Sequence, residues 1–392
     1  MAMARITALV LGFTIGSAAL APAMAQDVLD PNAPIGIEAG RFTLFPAVEN
    51  TLSTGFGGTG PSVTVSPELL IQSNWVRHAA ELLFDVDLSV EGALEAVLVD
   101  LGVTLDIGEL WTVSLGASHQ ITVDDTRDPA LPPGIDAAPG VRTTAADAAL
   151  DGVVGNYVLR LDAAVVRTVH DDALVGGVPV DQSERDNTVF GATLRVERDV
   201  GALLSPFVEA GGGRRLYDVA VGSDGFLQAG NYADLRAGLT YDSAPVLTAE
   251  AAIGVHFEMP DDPALANEGA LSADFNAVWS PREILVLTLA TETAFAPNAG
   301  AAMGSSVSRT VAFDADWAVR ETVTLTGEAS WGRERFADGT IETATALGAG
   351  VVWSPSRRTQ FALAFQQSWL ASPDPLRDGS DTKITLTSRV TP

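Results

Sequence analysis

The chain has 392 residues, of which 47% are hydrophobic and 19% charged, and 50 acidic against 23 basic side chains give a net charge of −27. It contains no cysteine, which excludes disulfide scaffolds, thiolate metal sites and cysteine nucleophiles. The acidic balance argues against nucleic acid as a partner, because phosphate binding needs clustered Lys and Arg. At about 150 residues per domain, the length alone would suggest two or three soluble domains.

The N-terminal 25 residues have the pattern of a secretory signal peptide. Arg5 precedes an apolar stretch, and Ala23-Met24-Ala25 has the small residues of a cleavage site. Residues 26–40 are then expected to form a periplasmic N-terminal segment. Beyond them, no apolar run approaches the ~18 residues that a spanning helix requires. The exported chain is therefore expected to be either soluble or a membrane protein built from strands.

Alternation of apolar and polar residues predicts β-strands over most of the chain. Segment 246–258 is the clearest case, with Leu247, Ile253 and Phe257 on one face. Several alternating segments, such as 322–336, are far longer than the about 5–6 residues usual in soluble proteins. A tilted membrane strand needs about 9–11 residues within the hydrocarbon alone. Strand length therefore favours a membrane barrel over a soluble sandwich.

The connections between these segments support the same conclusion. From residue 199 onward, short turns alternate with longer loops rich in polar residues, Gly, Pro and Asp, with 337–340 the one marginal case. Outer-membrane barrels have short periplasmic turns and longer outer loops. A propeller is excluded, because each repeat would need about four short strands and has two long ones.

We predict an all-β fold, a transmembrane antiparallel up-and-down β-barrel of about 18 strands that occupies residues 41–392 as one domain. Sixteen strands is the alternative, because segment 41–49 has the weakest pattern. An even number of strands places both termini in the periplasm. A barrel of this size is wide enough for an aqueous lumen.

The polar faces supply candidate lumen-lining residues, and the tryptophans supply a candidate aromatic girdle. Core packing is the alternative role for the tryptophans. The candidate lumen-lining residues are Thr248, Glu250, His256, Glu258, Thr324, Thr326, Glu328, Asp314, Asp316, Asp234 and Arg236. The candidate girdle residues are Trp279, Trp317, Trp331, Trp353 and Trp369.

Charged near-neighbours on the predicted lumen face suggest charge ladders along the inner wall. The pairs are Arg160 with Asp162, Arg195 with Glu197, and Asp234 with Arg236. The excess of acidic residues predicts that a conducting channel prefers cations.

No motif predicts an enzyme, a cofactor or a metal site. There is no G-x-S-x-G motif, and His256 near Glu250 and Glu258 is expected to be a solvated lumen histidine rather than part of a catalytic group. The run 211–213 is expected to be a bulge or a place of close packing, not a phosphate loop. The acidic pairs at 124–125, 171–172 and 261–262 lack EF-hand spacing and are expected to be solvated turns.

Parts of the sequence resemble the β-barrel porin type 2 family of proteobacterial outer-membrane proteins. The resemblance lies in Ser205-Pro206-Phe207-Val208-Glu209-Ala210, in Arg214-Arg215-Leu216-Tyr217-Asp218, in Leu235-Arg236-Ala237-Gly238-Leu239-Thr240-Tyr241, and in Val278-Trp279-Ser280-Pro281-Arg282-Glu283-Ile284-Leu285. It implies an outer-membrane barrel of about eighteen strands, and some members are linked to export of cell-surface polysaccharide. No binding residue is carried over from the family.

The leading functional hypothesis is a porin-like channel in the cell outer membrane of a Gram-negative bacterium, through which small hydrophilic solutes diffuse. The alternatives are an outer-membrane component of exopolysaccharide or capsule export, and a plugged structural or adhesive barrel. The expected partners are outer-membrane lipid, lipopolysaccharide and the barrel assembly machinery. Polysaccharide-export proteins join them in the export alternative.

Overall fold

A computed structural model describes most of the chain, and its main feature is a sheet of long strands. The described residues are 36–56, 62–90, 94–124, 131, 135–137, 139–199, 203–222, 225–227, 229–296, 306–375 and 377–391. The predicted signal peptide and most of the predicted N-terminal segment lie outside them. Within the described residues, eighteen long strands and one short strand, Ile37–Ala39, form a single sheet. The long strands are Phe42–Phe56 (β1), Ser62–Ser73 (β2), His78–Ser89 (β3), Leu94–Ile107 (β4), Trp111–Val123 (β5), Gly140–Val154 (β6), Tyr157–His170 (β7), Asn187–Arg198 (β8), Leu204–Tyr217 (β9), Gly230–Ser243 (β10), Leu247–Pro260 (β11), Glu268–Arg282 (β12), Leu285–Ala296 (β13), Ser306–Arg320 (β14), Val323–Phe336 (β15), Ile341–Ser356 (β16), Thr359–Ala371 (β17) and Gly379–Val390 (β18).

The sheet closes on itself through its first and last long strands. Each long strand pairs antiparallel with its sequence neighbours, and β1 pairs with β18 from Val48–Val390 to Phe56–Thr382. The fold is a closed antiparallel β-barrel of eighteen strands, which confirms the predicted architecture and excludes sixteen. The strand with the weakest pattern, predicted over 41–49, extends to Phe56.

Short and long connections alternate around the barrel and give it two different ends. Two residues join β12 to β13, β14 to β15, and β16 to β17, all at one end. The longest connections, 124–139 and 171–186, lie at the other end. We call these the turn end and the loop end. The connection 337–340, the marginal case in the sequence, lies at the loop end despite its length.

The two longest loops pair with each other. Ile135–Ala137, Ala173–Val175 and Val178–Val180 form a separate three-stranded sheet, in which the side chain of Ala173 is fully buried. A 3-10 turn, Ser183–Arg185, follows this sheet. The sequence does not reveal these strands, because they form only through contacts between distant loops. No helix in the described part of the chain is long and apolar enough to cross a bilayer.

The pairing of β12 with β13 is incomplete, and this changes the packing inside the barrel. Regular pairing of β12 with β13 stops at Phe275 and Thr291, although both strands continue toward the loop end. Beyond this point the backbone N–H of Thr293 donates to the side chain of Asp274 (2.9 Å). The ring of Phe295 then stacks on His256 of β11, with centroids 4.1 Å apart. The end of β13 therefore packs against β11 rather than continuing in register beside β12.

Candidate functional site: the charged inner wall

The polar face of the strands is the concave inner face of the barrel. Arg195 on β8 contacts Glu250 on β11 (2.8 Å), although two strands lie between them. Such a contact is possible only across the concave side of a curved sheet, because alternate residues of a strand point to opposite faces. The eleven predicted lumen-lining residues lie on this inner face, as their alternation and cross-strand register show: Asp234, Arg236, Thr248, Glu250, His256, Glu258, Asp314, Asp316, Thr324, Thr326 and Glu328.

Arg195 is the centre of one ion-pair cluster on this face. Its guanidinium donates to Glu197 (2.9 Å), to both carboxylate oxygens of Glu250 (2.8 and 3.1 Å) and to the hydroxyl of Thr240 (3.0 Å). The guanidinium also lies over the ring of Phe207, 3.6 Å from its centroid. Five contacts to four strands fix this side chain against the wall.

Arg236 on β10 forms a second cluster. It donates to Glu209 on β9 (3.0 Å) and to Asp274 on β12 (3.2 Å). Arg160 on β7 contacts Asp162 (2.9 Å) in the same manner. From β7 to β12, arginine side chains therefore compensate inner-face carboxylates.

His256 is held between two carboxylates. Nδ1 lies 2.5 Å from Asp234 and Nε2 lies 3.0 Å from Glu258, which also faces Arg215 (3.6 Å). A ring that donates from both nitrogens is the imidazolium form. The residue is only 7% exposed and stacks on Phe295. The sequence-based expectation of a solvated histidine is therefore wrong, because the end of β13 covers the ring.

The inner face of β14 and β15 is organised differently. Asp314 and Glu328 lie directly opposite each other, and Asp316 is the next inward-facing residue of β14. Within the described residues, none of these three carboxylates has an ion-pair or hydrogen-bond partner. Like charges directly opposite each other in a sheet are destabilising. This pair of strands therefore presents uncompensated negative charge to the interior.

Cross-strand register, as well as sequence proximity, selects the partners in these clusters. The pairs Arg160–Asp162 and Arg195–Glu197 form as predicted. Asp234 and Arg236 do not contact each other: register places Asp234 opposite His256 and Arg236 opposite Glu209. Counting residues back from the turn between β10 and β11 would have revealed the Asp234–His256 pair.

One aspartate of each acidic pair in the loops forms an ion pair, and Asp125 lies outside the described residues. Asp124 accepts from Arg185 (2.7 Å), and Asp261 accepts from Arg214 (2.7 Å). Asp171 pairs with Arg142. Asp124 is buried, so the expectation of a solvated turn is wrong for this residue. No group of three or more His, Asp or Glu in the described residues is arranged to hold a metal ion.

Glycine at 211–213 permits close packing within β9. The run sits in regular register with both neighbouring strands, so it is not a bulge. A Cβ atom on Gly213 would fall against the carbonyl oxygen of Phe190 and lie 2.5 Å from the hydroxyl of Tyr232. The expected close packing is therefore found here.

The five predicted girdle tryptophans lie exposed on the outer face at two levels. Trp279, Trp317 and Trp353 each lie three residues before the turn end of their strands. Trp331 and Trp369 flank Thr345 on one rung nearer the loop end. Trp353 and Thr345 are eight residues apart on β16, which corresponds to about 27 Å along the strand. At a tilt of about 40° this is about 20 Å of height, close to the apolar band of outer-membrane barrels.

A family model decides what kind of barrel this is. The model described as "Putative beta-barrel porin 2" matches residues 30–391, a span that contains every strand of the wall. The chain belongs to this family. Membership in the beta-barrel porin 2 family, together with the closed barrel, makes the protein a porin-like channel of the outer membrane. No curated protein sequence matches the chain.

Solved structures share the barrel fold with this porin at low sequence identity. Pseudomonas aeruginosa OccK2 (OpdF), solved in complex with glucuronate, has a TM-score of 0.50 and 10% identity, over 90% of this chain and 98% of its own. Pseudomonas aeruginosa OccK11 (OpdR) has a TM-score of 0.49 and 10% identity, over 92% and 99%. The FrpB iron transporter of Neisseria meningitidis has a TM-score of 0.49 and 10% identity over 86% of this chain, which spans 62% of FrpB. At this identity the likeness to OccK2 shows the barrel fold alone.

Proposed function

We propose that the protein is a diffusion channel for small hydrophilic solutes and that it prefers cations. The observation that carries the proposal is the group of uncompensated carboxylates on the inner wall, Asp314, Asp316 and Glu328. Negative side chains that line a pore lower the energy of a cation there and raise that of an anion. The arginines of the neighbouring wall are already paired with carboxylates, so they add little field that would attract anions.

An unpaired carboxylate on the opposite wall supports the same preference. Asp147 on β6 faces inward, and within the described residues it has no ion-pair partner. In a ring of eighteen strands, β6 and β15 are nine strands apart, so Asp147 and Glu328 lie on opposite walls. A solute between these walls experiences negative potential from both sides.

The proposed orientation places the turn end and both chain termini in the periplasm and the loop end outside the cell. Short periplasmic turns and longer outer loops are the usual arrangement in bacterial barrels with an even number of strands. The small sheet of Ile135–Ala137, Ala173–Val175 and Val178–Val180 then lies at the outer mouth of the channel.

The surroundings of His256 support a channel rather than a catalyst. Within the described residues, the groups in contact with its ring are the carboxylates of Asp234 and Glu258 and the aromatic rings of Tyr232 and Phe295. Because both ring nitrogens are bonded to carboxylates, neither is placed to take a proton from a hydroxyl nucleophile.

The test is the reversal potential of refolded protein in planar bilayers under a KCl gradient. We expect a potential of the sign that favours K⁺, and a shift toward zero in Asp314→Asn/Asp316→Asn/Glu328→Gln. The control Thr324→Ala/Thr326→Ala changes the same inner face without changing its charge, and its potential should equal that of the wild type. A potential that favours Cl⁻ would overturn the cation preference. A folded protein without conductance would instead support the plugged barrel.

A further inference from the structure

Three arginines form a cluster on the outer face of the wall at the loop end. Arg309 on β14 lies directly opposite Arg333 on β15, and Arg335 is the next outward-facing residue of β15. All three are exposed. They share this face with Trp331, which is also exposed. In a protein with 50 acidic and 23 basic side chains, such a concentration of positive charge requires an explanation.

The cluster has no internal counter-charge. Within the described residues, none of the three guanidiniums has an ion-pair partner. The residues opposite them on the adjoining strands are uncharged: Thr343 lies opposite Arg333, and the buried Thr293 lies opposite Arg309. Arginines placed directly opposite each other repel, so the pair weakens the sheet unless an anion lies between them.

Other outer-face arginines near the loop end are neutralised by the protein itself. Arg142 pairs with Asp171, Arg167 donates to Asp218 (2.7 Å), and Arg214 donates to Asp261 (2.7 Å). The cluster on β14 and β15 therefore differs from comparable positions of the same barrel in lacking a carboxylate. We name Arg309, Arg333 and Arg335 the open arginine cluster.

The height of the cluster identifies the surroundings of its ligand. Arg333 lies two residues beyond Trp331 toward the loop end, about 7 Å along the strand. Trp331 and Trp369 occupy one rung on either side of Thr345. Tryptophans at this position mark the boundary between hydrocarbon and headgroups. The open arginine cluster thus lies at headgroup level, directly above an apolar outer wall.

We propose that the open arginine cluster binds a phosphate group of the glycolipid of the outer leaflet, the lipid A portion of lipopolysaccharide. This proposal rests on the proposed orientation, in which the loop end faces the outer leaflet. Guanidinium groups bind phosphate oxygens through paired, charge-assisted hydrogen bonds. The hydroxyl of Thr343, opposite Arg333, is a further donor beside the cluster. The apolar wall below, which includes the exposed side chains of Val311 and Phe313, would contact the acyl chains.

The test compares the triple variant Arg309→Gln/Arg333→Gln/Arg335→Gln with a matched control, Arg142→Gln/Arg167→Gln/Arg214→Gln. Both variants remove three outer-face arginines near the loop end, but only the first removes unpaired ones. Each refolded protein is titrated in detergent with lipid A, with dephosphorylated lipid A, with phosphatidylglycerol and with inorganic phosphate. The readout is the shift in thermal unfolding temperature, and KCl conductance reports separately on the channel.

For wild type and control we expect lipid A to raise the unfolding temperature, whereas the triple variant should bind it about tenfold more weakly or worse. Dephosphorylated lipid A and inorganic phosphate should produce no comparable shift. Without lipid, the triple variant should unfold no earlier than the wild type, because the repulsion between opposite arginines is gone. Equal binding by the triple variant, or equal shifts with dephosphorylated lipid A or phosphatidylglycerol, would overturn the proposal. If the conductance of the triple variant is unchanged, failure of the lipid A proposal would leave the proposed channel function intact.

Discussion

Two regions of the wall differ in how their charges are paired. From β7 to β12, the inner-face arginines Arg160, Arg195 and Arg236 are each held by carboxylates. On β14 and β15, charges remain unpaired on both faces: the inner face carries Asp314 and its acidic neighbours, and the outer face carries the open arginine cluster. We call β7 to β12 the closed wall, because its inner-face arginines are paired, and β14 with β15 the open hairpin, because its charges are not.

This difference separates charges that hold the wall together from charges that are available to a ligand. A partly buried charge loses hydration, and a paired one regains hydrogen bonds that offset this cost in free energy. An unpaired charge costs stability and is retained where an ion, a solute or a lipid can act as its partner. Mutations in the closed wall should therefore change the free energy of unfolding, whereas mutations in the open hairpin should change ion selectivity and lipid binding.

The largest expected loss of stability comes from overpacking the closed wall. Gly213→Ala would place a Cβ atom against the backbone carbonyl of Phe190, and a backbone atom cannot rotate away as a flexible side chain can. We expect a loss at or beyond the upper end of the about 1–3 kcal/mol typical of overpacking. The measurement is the midpoint of urea unfolding for protein refolded in lipid or detergent.

Gly327→Ala on the open hairpin is the matched control for this substitution. A Cβ atom at Gly327 has no neighbour within 4 Å, so the midpoint should stay unchanged or rise slightly. A similar fall in the urea midpoint of both variants would show that close packing does not distinguish the closed wall from the open hairpin.

A smaller effect is expected from removing one arginine of the closed wall. Arg195→Gln leaves Glu250 and Glu197, whose side chains are 41% and 22% exposed, without their cationic partner. Because solvent screens part of this cost, we expect a loss of about 1–2 kcal/mol in the free energy of unfolding. Arg333→Gln, the same change on the open hairpin, should cause no loss in the absence of lipid. The same urea midpoints measure both, and equal losses would remove the distinction between paired and unpaired arginines.

The smallest expected effect concerns an exposed pair at the loop end. The hydrogen bond from Arg167 holds the pKa of Asp218 below its usual range. The pair therefore contributes stability fully above the ordinary carboxyl pKa of about 3.9 and loses it as the pH falls through the lower folded value. The difference in urea midpoint between wild type and Asp218→Asn should be constant from about pH 5 to 8 and vanish in stronger acid. A difference that already shrinks near pH 6 would contradict this assignment.

The sequence is enough to predict the barrel, because each strand repeats the same physical signal. Alternation along segments such as 246–258 predicts strand after strand and gives about eighteen, with sixteen left open by the weak pattern of 41–49. The sheet between loops 124–139 and 171–186 is different. Its three-residue strands are too short to show alternation, and they are stabilised by each other rather than by their own pattern.

The charge clusters are predictable only in part, because they depend on register. Arg195 and Glu197 face the same way two residues apart, which the sequence shows directly. The contact from Arg195 to Glu250 depends on the curvature of four strands, and the cover over His256 depends on where β12 and β13 stop pairing. Both features depend on the registers of several hairpins together, so no local sequence pattern predicts them.

The pairing of β1 with β18 determines the order in which this protein can be assembled. Thr51 on β1 and Thr387 on β18 share a hydrogen bond across a sequence separation of 336 residues. The wall therefore cannot close until β18, the last strand, has reached the membrane. Every shorter set of strands is an open sheet with two unpaired edges and no enclosed water path. Translocation and insertion must therefore pass through a stage in which both edges are shielded by something other than this chain. A polypeptide cut short by a single strand is expected to be a substrate for proteolysis rather than a smaller pore.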